Sequence, residues 1–235
     1  MNEKKINETS KNIFLIETSC KGYLDLRQLC AVKSAARAHP DWQINLLFVG
    51  PVTHEKLTTG ILSSLQAYEN VVIARVYLSQ IVKDTPLERV LTENLLETSE
   101  YRYAHVSDII RLLLLWKFGG VYMDLDIVVL KPFDDLGPDF AGLDAPNSVN
   151  TAVMGFKVYS EETFYPISAQ HWREYFQPGV FNVKRFSKSH TVHVLNSLSH
   201  VIKDRTIKPW TLYANMAKMF CPPIYSVNPE SLSEQ

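Results

Sequence analysis

The chain has 235 residues, of which 46% are hydrophobic and 21% charged, and its formal net charge is -1. This length accommodates one large domain or two small ones, and the composition is that of an ordinary soluble globular protein. Because Lys and Arg are dispersed along the chain, we do not expect a nucleic-acid-binding protein.

The sequence contains no run of 18 apolar residues, so it predicts no transmembrane helix. Residues 1–11 are polar, carry no signal-peptide core and are predicted to form a tail or linker. If the protein works in the secretory pathway, we expect its targeting segment to lie outside this sequence.

Three cysteines are too few for a disulfide framework. Cys20 could pair with Cys30 and leave Cys221 free. Equally, all three could be thiols in or near the core. The cysteines therefore leave the redox compartment open.

Strands and helices alternate over the first half of the chain. Short apolar runs predict strands, and apolar residues at helical spacing predict helices. The predicted strands are residues 12–16, 43–49 and 71–76, and the predicted helices are residues 25–38 and 57–68. Residues 92–105 are polar and irregular. This alternation predicts an α/β fold with a mostly parallel sheet and helices on both faces.

A polar loop, Glu17-Thr18-Ser19, follows the first predicted strand. Open α/β sheets bind ligands at the carboxyl ends of their strands. The loop is therefore a candidate for ligand binding.

A helix is predicted from Ser107, as the N-cap, to Phe118, where Gly119-Gly120 ends it. Asp108 and Arg111 lie three residues apart and share one face of this helix. The apolar residues mostly occupy another face, which is predicted to contact the core. They are Leu112, Leu113 and Trp116.

Asp124-Leu125-Asp126 places two carboxylates just before a predicted strand, residues 127–130. In extended chain the two would point to one side, roughly 6–7 Å apart. At that distance they would repel by on the order of 2–3 kcal/mol. A divalent cation would relieve the repulsion, since carboxylate oxygens suit hard cations. The alternative is an exposed turn with two solvated acids.

The neighbouring polar residues also leave alternatives open. Asp108 and Arg111 could form a surface ion pair of little energetic value. Beside a bound diphosphate, Arg111 would instead donate to phosphate oxygens and Asp108 would accept from hydroxyls. A cation held by carboxylates often needs one further ligand, and His190 and His193 are both candidates.

The second half of the chain is less regular. Residues 134–150 are predicted to be rich in loops, with Asp134-Asp135 as a solvated turn. The aromatic residues in 161–176 are predicted to serve packing rather than to form a sugar platform. The remaining predicted elements are a strand at 151–156, an edge segment at 189–194 and a helix at 210–220.

A nucleotide diphosphate sugar accounts for this combination of residues. Its diphosphate chelates Mn²⁺ or Mg²⁺, and the metal neutralises charge on the leaving diphosphate. The sugar passes through an oxocarbenium-like state. A phosphatase or phosphotransferase with Asp124 as nucleophile is a minor alternative. In such enzymes an apolar strand precedes the acids, whereas here it follows them.

Residues 107–133 resemble the Asp-X-Asp sugar-binding region of glycosyltransferase family 32, and further segments resemble its α-1,4-glycosyltransferases. Those segments are residues 13–19, 30–40, 84–87, 191–196 and 213–222. The resemblance implies a GT-A (Rossmann-like) fold and retaining transfer of a hexose from a UDP-sugar to a glycosphingolipid in α-1,4 linkage. Galactose is the first-choice hexose, and N-acetylgalactosamine or N-acetylglucosamine the next. It also implies a Golgi membrane setting, on the lumenal side.

The resemblance also implies roles for individual residues. Asp124 and Asp126 would bind Mn²⁺ or Mg²⁺ and the UDP diphosphate, and His193 would complete the metal ligands. The residues implied at the donor sugar, phosphate and uridine are Asp108, Arg111, Glu17, Thr18 and Ser19.

The resemblance leads us to expect an N-terminal membrane anchor, which this sequence does not show, and two internal features also depart from the family pattern. Lys157 runs directly into Val158, where the family separates the corresponding segments widely, and Leu195 replaces the usual Trp. We therefore expect that an internal block is missing. The expected layout is a donor-binding region at 12–157 and a shortened C-terminal region at 158–235, packed on the same domain. A relative that binds the donor, or partners with a full-length enzyme, without transferring sugar is the alternative function.

Overall fold

The computed structural model describes residues 11–137, 140–145, 148–154, 158–159, 161–179, 182, 184–195 and 208–221. The strands are β1 (Asn12–Glu17), β2 (Gln43–Phe48), β3 (Val71–Arg75), β4 (Val121–Met123), β5 (Ile127–Val129), β6 (Ala141–Ala145), β7 (Ser148–Met154), β8 (Val158–Tyr159) and β9 (Thr191–His193). The α-helices are α1 (Leu26–Ala38), α2 (His54–Thr58), α3 (Leu78–Ile81), α4 (Arg89–Thr92), α5 (Arg102–Phe118), α6 (Glu161–Phe164) and α7 (Leu212–Phe220). Ile61–Ala67, Asp134–Leu136 and Ala169–Phe176 form 3-10 helices.

Within the described residues, seven strands form one sheet in the order β3-β2-β1-β4-β7-β6-β8. The pairs β1–β2, β2–β3, β1–β4 and β6–β8 are parallel, and β7 runs antiparallel to β4 and β6. The β3-β2-β1-β4 half has the strand order of a Rossmann-type sheet. The predicted α/β fold with a mostly parallel sheet is therefore confirmed.

The central strand β1 is buried on both faces, as its unbroken apolar sequence requires. Ile13 and Leu15 belong to the core on the α1 side, whereas Phe14 and Ile16 belong to the core on the α5 side. The prediction of helices on both faces of the sheet is thus also confirmed.

Helix α1 begins and ends where the sequence predicts. Asp25 caps it in a capping box with Gln28, which satisfies backbone N–H groups that the first turn leaves unpaired. His39 ends it, and the His39 N–H donates to Ala35 O at 3.1 Å. The helix packs against β2 and β5.

Two glycines join α5 to β4. Gly119 and Gly120 have φ angles of 64° and 86°, in the left-handed region that favours glycine. A Cβ atom on Gly120 would lie 2.5 Å from Asn12 O. The missing side chain therefore lets β4 approach β1 and places the acids after β4 at the carboxyl edge of the sheet.

Helix α5 differs from its prediction in two ways. It begins at Arg102 rather than at Ser107, because the exposed residues 102–105 form an additional first turn. The predicted core face was also wrong for two of its three residues. Leu112 is 50% exposed and Trp116 63% exposed, whereas Leu113 is buried.

Two further predictions of local structure were wrong. Residues 57–68 form the end of α2 and a separate 3-10 helix, with Gly60 between them. The segment 134–150 is not mainly loop, since it contains β6 and the start of β7. Register shifts within this hairpin obscure the alternation of apolar residues that would have revealed it.

The disulfide joins Cys30 on α1 to Cys221, which follows α7. The expected alternatives, a Cys20–Cys30 bridge or three thiols, were wrong, and Cys20 is an exposed free thiol. Helix α7 packs on α1, so the bridge ties the end of the described chain to the first helix.

No helix among the described residues is both long and apolar enough to cross a lipid bilayer. The junction where we expect the missing block, between Lys157 and Val158, lies at the boundary of the described residues. Val158 begins β8, and Lys157 lies outside the described residues.

Candidate active site

The predicted site residues gather at the carboxyl edge of the parallel strands. From β1 the chain proceeds to β2 on one side, whereas β4 lies on the other side of β1. Such a switch point opens a crevice that binds ligands in open α/β sheets. Glu17 ends β1 and Asp124 directly follows β4, so both border this crevice.

The two acids sit in a turn rather than in extended chain, which corrects the expected geometry. Ile127 N–H donates to Asp124 O at 3.3 Å and closes the turn between β4 and β5. Asp124 N–H donates to Ala152 O at 2.7 Å. Asp126 O accepts from Val194 N–H at 3.1 Å. The backbone of each acid is thus fixed by a distant segment.

Strand pairing brings His193 to the acids. In the antiparallel β5–β9 ladder, Ile127 pairs with His193. His193 Nε2 lies 3.2 Å from Asp126 Oδ2. Ligand atoms of Asp124, Asp126 and His193 all lie within 4.8 Å of one another. His190 Nδ1 instead contacts Pro132 O at 2.8 Å, so His193 rather than His190 lies against the acids.

The charges at this cluster favour a bound cation. Burial and the neighbouring Asp126 carboxylate raise the pKa of Asp124 to about 6, although Arg111 opposes the shift. Burial disfavours a charged His193, but the Asp126, Asp124 and Asp144 carboxylates together outweigh it and raise the pKa of His193. Two carboxylates and one imidazole are a donor set that Mn²⁺ and Mg²⁺ accept. The residues present therefore fit a divalent cation.

Arg111 connects the helix α5 to the acids. Its Nη1 donates to Thr151 O at 3.0 Å and to Thr151 Oγ1 at 2.8 Å. Its Nη2 lies 3.1 Å from Asp108 Oδ1 and 3.5 Å from Asp124 Oδ1. The structure thus brings Asp108, Arg111 and Asp124 together. Arg111 is only 8% exposed. Its guanidinium holds Asp124, and it is also a candidate phosphate ligand.

Two tyrosines that were not predicted from the sequence also belong to the site. The Tyr122 hydroxyl donates to Asp124 Oδ1 at 2.5 Å, and its ring lies under the Arg111 guanidinium, 4.5 Å away. The Tyr165 ring packs against His193, with 5.7 Å between centroids. Tyr122 could have been found from the sequence, since it precedes Asp124 by two residues. Tyr165 had no comparable signal.

The Glu17-Thr18-Ser19 loop lies at the same edge of the sheet. Glu17 is 3% exposed, and its Oε1 accepts from the backbone N–H of Ser19 at 2.7 Å and from the Ser19 hydroxyl. Among the described residues, Glu17 Oε2 is buried with no hydrogen-bond partner. Thr18 and Ser19 are half-buried. The placement of this loop beside uridine remains a prediction.

Leu195 has an unusual backbone conformation two residues beyond His193. Its φ is 54°, in the left-handed region where a bulky non-glycine residue is strained. Strain of this kind clusters at functional sites. This strained position is also the one where the family resemblance leads us to expect Trp.

Two family models match successive parts of the chain. Residues 25–141 match the glycosyltransferase sugar-binding region containing the DXD motif. Residues 143–228 match the α-1,4-glycosyltransferase conserved region. The first match contains Asp124 and Asp126, and the second contains His193.

Similar proteins include the mouse lactosylceramide 4-alpha-galactosyltransferase, which is 36% identical over 149 residues. That match covers 62% of this chain but only 41% of the mouse protein. The human alpha-1,4-N-acetylglucosaminyltransferase is 22% identical over 276 positions, covering 92% of this chain and 80% of the human protein. A solved PaToxG glycosyltransferase covers 95% of this chain and 75% of its own, with 19% identity and a TM-score of 0.45.

The alignment with the human protein also bears on the expected gap. Its 276 positions exceed the 235 residues of this chain, so some positions of that relative have no counterpart here. The mostly parallel sheet agrees with the GT-A fold that the resemblance implies. With the two successive family matches and the Asp-Asp-His cluster that they contain, the chain belongs to the α-1,4-glycosyltransferases with a DXD sugar-binding region.

Proposed function

We propose that this protein transfers a hexose from a UDP-sugar to a glycosphingolipid, in α-1,4 linkage and with retention, in a metal-dependent reaction. The observation that carries the proposal is the convergence of Asp124, Asp126 and His193 at the switch point of the sheet. The names of the mouse and human relatives support a galactose or N-acetylglucosamine donor. Galactose remains our first choice because the mouse protein has the higher identity.

In this proposal Asp124, Asp126 and His193 hold Mn²⁺ or Mg²⁺. When bound, the cation would supply Lewis-acid stabilisation of charge on the diphosphate leaving group. Burial and then the Asp126 carboxylate raise the pKa of Asp124, and nearby carboxylates raise the pKa of His193. A cation would offset the negative charge that contributes to both shifts. The backbone at Asp124 and Asp126 is already held by hydrogen bonds to other segments, so little reorganisation of the backbone is needed on binding.

The surrounding residues would orient the donor. Asp108 is on the exposed side of Arg111, with 56% of its side chain accessible, so its carboxylate can accept from sugar hydroxyls. Arg111 would keep Asp124 ionised and oriented, and its charge would also attract the diphosphate. Glu17 and its loop would contact the uridine at the end of β1.

The test is UDP binding in the presence and absence of Mn²⁺, measured by isothermal titration calorimetry. We expect Asp126→Ala and His193→Ala to weaken Mn²⁺-dependent UDP binding by at least about tenfold, since both remove a cation ligand. Asp135→Asn is the matched control, because Asp135 is an exposed acid elsewhere on the surface. Metal-independent UDP binding, or equal affinities in all variants, would show that the cation site is wrongly assigned.

A second candidate function is donor binding without transfer, alone or with a full-length enzyme. The shorter chain favours it, since positions present in the human relative have no counterpart here. Transfer to lactosylceramide and hydrolysis of UDP-galactose would be measured on one preparation that binds UDP. Product formation supports the transferase, and binding with neither product supports the second candidate.

The disulfide supports a setting in an oxidising compartment, as the lumen of the Golgi would provide. Structural disulfides persist in the secretory pathway and are rare in the cytosol. Cys30 and Cys221 are both fully buried, which suits a structural bridge. Thiol counting under denaturing conditions on protein from a secretory host should find one free thiol, that of Cys20. Three free thiols would argue against this setting.

A further inference from the structure

Asp144, on β6, is a third carboxylate beside the cluster of Asp124, Asp126 and His193. Its Oδ2 accepts from Asn150 Nδ2 at 3.1 Å. Its Oδ1 is buried and has no hydrogen-bond partner among the described residues. Burying a carboxylate oxygen without a partner costs free energy. A positive charge bound nearby would offset that cost.

A short chain of hydrogen bonds joins Asp144 to the backbone of Asp124. Asn150, which donates to Asp144, accepts from Ala152 N–H through its own Oδ1 at 2.7 Å. Ala152 O in turn accepts from Asp124 N–H at 2.7 Å. Asp144 is therefore fixed to the same stretch of β7 that holds the first acid of the cluster.

Tyr165 connects β6 to His193. The centroids of the Tyr165 and His193 rings lie 5.7 Å apart. A Cβ atom on Gly142, two residues before Asp144 on β6, would lie 2.5 Å from Tyr165 Cε2. Tyr165 is itself buried, so its ring contacts β6 and His193 within the core. Asp144 is thus tied to two of the three cluster residues by contacts through β6 and β7.

The charge of Asp144 acts on the groups at this cluster. Burial disfavours a charged His193, but three carboxylates, led by Asp126 and including Asp144, raise its pKa. Burial raises the pKa of Tyr165, and the same three carboxylates raise it further. Salt screens a buried charge much less than an exposed one. The field of Asp144 therefore reaches the place where a cation would be held.

We propose that Asp144 is a third acid of the cation site, which strengthens cation binding by its charge without being a ligand. The ligand atoms within 4.8 Å of one another belong to Asp124, Asp126 and His193. Asp144 acts on the cation through space, and Asn150 keeps its carboxylate in place. The inference rests on the proposed function, since it requires that the cluster holds Mn²⁺ or Mg²⁺.

The test is a set of UDP titrations of Asp144→Asn at a series of Mn²⁺ concentrations, measured by isothermal titration calorimetry. Asn keeps the size of the side chain and an oxygen that accepts from Asn150, so the change removes only the charge. We expect the half-saturating Mn²⁺ concentration to rise about tenfold, the usual effect of residues that support metal ligands. The UDP affinity at saturating Mn²⁺ should not fall, because the missing charge no longer limits binding once the cation is bound.

Two further variants serve as controls. The double variant Asp144→Asn with Asn150→Asp moves the charge across one hydrogen bond and keeps the pair, so it should recover most of the lost Mn²⁺ affinity. Asp135→Asn removes an exposed acid and should leave the half-saturating Mn²⁺ concentration unchanged.

An unchanged half-saturating Mn²⁺ concentration in Asp144→Asn overturns the inference. Parallel losses of Mn²⁺ and UDP affinity that the double variant does not recover also overturn it, because they assign Asp144 to holding the hairpin. Asp126→Ala separates this failure from that of the proposed function. If Asp126→Ala abolishes the Mn²⁺ dependence and Asp144→Asn does not alter it, only the role of Asp144 is wrong. If neither variant alters it, the cation site itself is wrongly assigned.

Discussion

At the scale of single residues, Asp124 shows how neighbours determine the chemistry of the site. The carboxylate is held between a tyrosine hydroxyl, a guanidinium and a second carboxylate, and burial with the Asp126 charge raises its pKa to about 6. Tyr122 donates to it from beneath, and Arg111 opposes the rise in pKa. The orientation of the Asp124 carboxylate therefore depends on Tyr122 and Arg111, neither of which is a proposed metal ligand.

We therefore predict that Tyr122→Phe weakens Mn²⁺ binding by about tenfold, because partners that orient metal ligands typically contribute that much to affinity. The ring and its packing under Arg111 are retained, so the Tm should change little. Tyr23→Phe, which removes an exposed hydroxyl, is the control. Mn²⁺ titration would measure the effect, and an affinity equal to that of the control variant would contradict it.

His39 is a buried histidine that serves the fold rather than the site. Its Nδ1–H donates to Ala35 O at 3.0 Å, and its Nε2 accepts from Phe133 N–H at 2.9 Å. Burial lowers the pKa of His39 below its usual 6.5. Protonation would place a second donor against the Phe133 N–H, so the folded protein requires the neutral ring.

This geometry predicts a loss of stability in acid. The folded pKa is lowered, so the unfolded chain binds more protons below pH 6.5. The stabilisation is present above pH 6.5 and is lost as the pH falls through the folded pKa. His39→Gln should flatten the fall in the free energy of unfolding below about pH 6.5, measured by urea denaturation. An unchanged slope, equal to that of His54→Gln, would contradict the prediction.

Residue identities at the site were predictable only in part. Asp124 and Asp126 stood out because two acids before an apolar strand are chemically costly without a partner. Spacing alone left His190 and His193 open, because strand register decides which ring faces the acids, and only the family resemblance pointed to His193. Tyr165 was missed for the same reason, since its contact with His193 joins segments that are distant in sequence.

At the scale of elements, the junction of α5 and β4 controls where the acids lie. Gly120→Ala would place a methyl group 2.5 Å from Asn12 O, against backbone that cannot move freely. We predict a loss of about 1–3 kcal/mol of unfolding free energy, from steric contact and the positive φ together. The displacement of β4 should also weaken Mn²⁺-dependent UDP binding.

Gly119→Ala is a matched control for this change. Gly119 also has a positive φ, but a Cβ there would meet no atom within 4 Å. It should lose only the strain of its own backbone conformation (φ 64°, ψ -160°), which is essentially restricted to glycine, and therefore less than Gly120→Ala, which adds the contact with Asn12 O. Equal losses for both variants, measured by chemical denaturation, would show that the contact with Asn12 O is unimportant.

Elements with strong local signals were predicted correctly, and those without were not. Helix α1 has a capping box, helical periodicity and a Pro after its end, and its bounds agree with the structure. The β6–β7 hairpin has irregular register, and the resulting pattern resembles a loop. For α5 the sequence identified a helix but assigned Leu112 and Trp116 to the wrong environment, because periodicity does not reveal whether a second apolar face is covered.

At the scale of the whole molecule, the disulfide connects segments 191 residues apart in sequence. Closing so long a loop restricts the unfolded chain strongly. We predict that the double variant Cys30→Ser with Cys221→Ser loses about 2–5 kcal/mol of unfolding free energy. Thermal and urea unfolding would measure this loss.

Cys20→Ser provides the control for that variant, since Cys20 is an exposed free thiol. It should leave stability unchanged within about 0.5 kcal/mol. A double variant as stable as Cys20→Ser would show that the bridge contributes nothing. Reduction of the unmodified protein should reproduce the effect of the double variant.

The sequence by itself determined the α/β class, the paired acids, the glycine turn before them and the family resemblance. Each of these rests on local patterns of apolarity, turn residues or motif. Only the tertiary structure decided that His193 faces the acids, that Cys30 bonds Cys221 and that one face of α5 is open. The reason is physical, because these features depend on which distant segments pack together, and spacing along the chain does not specify that choice.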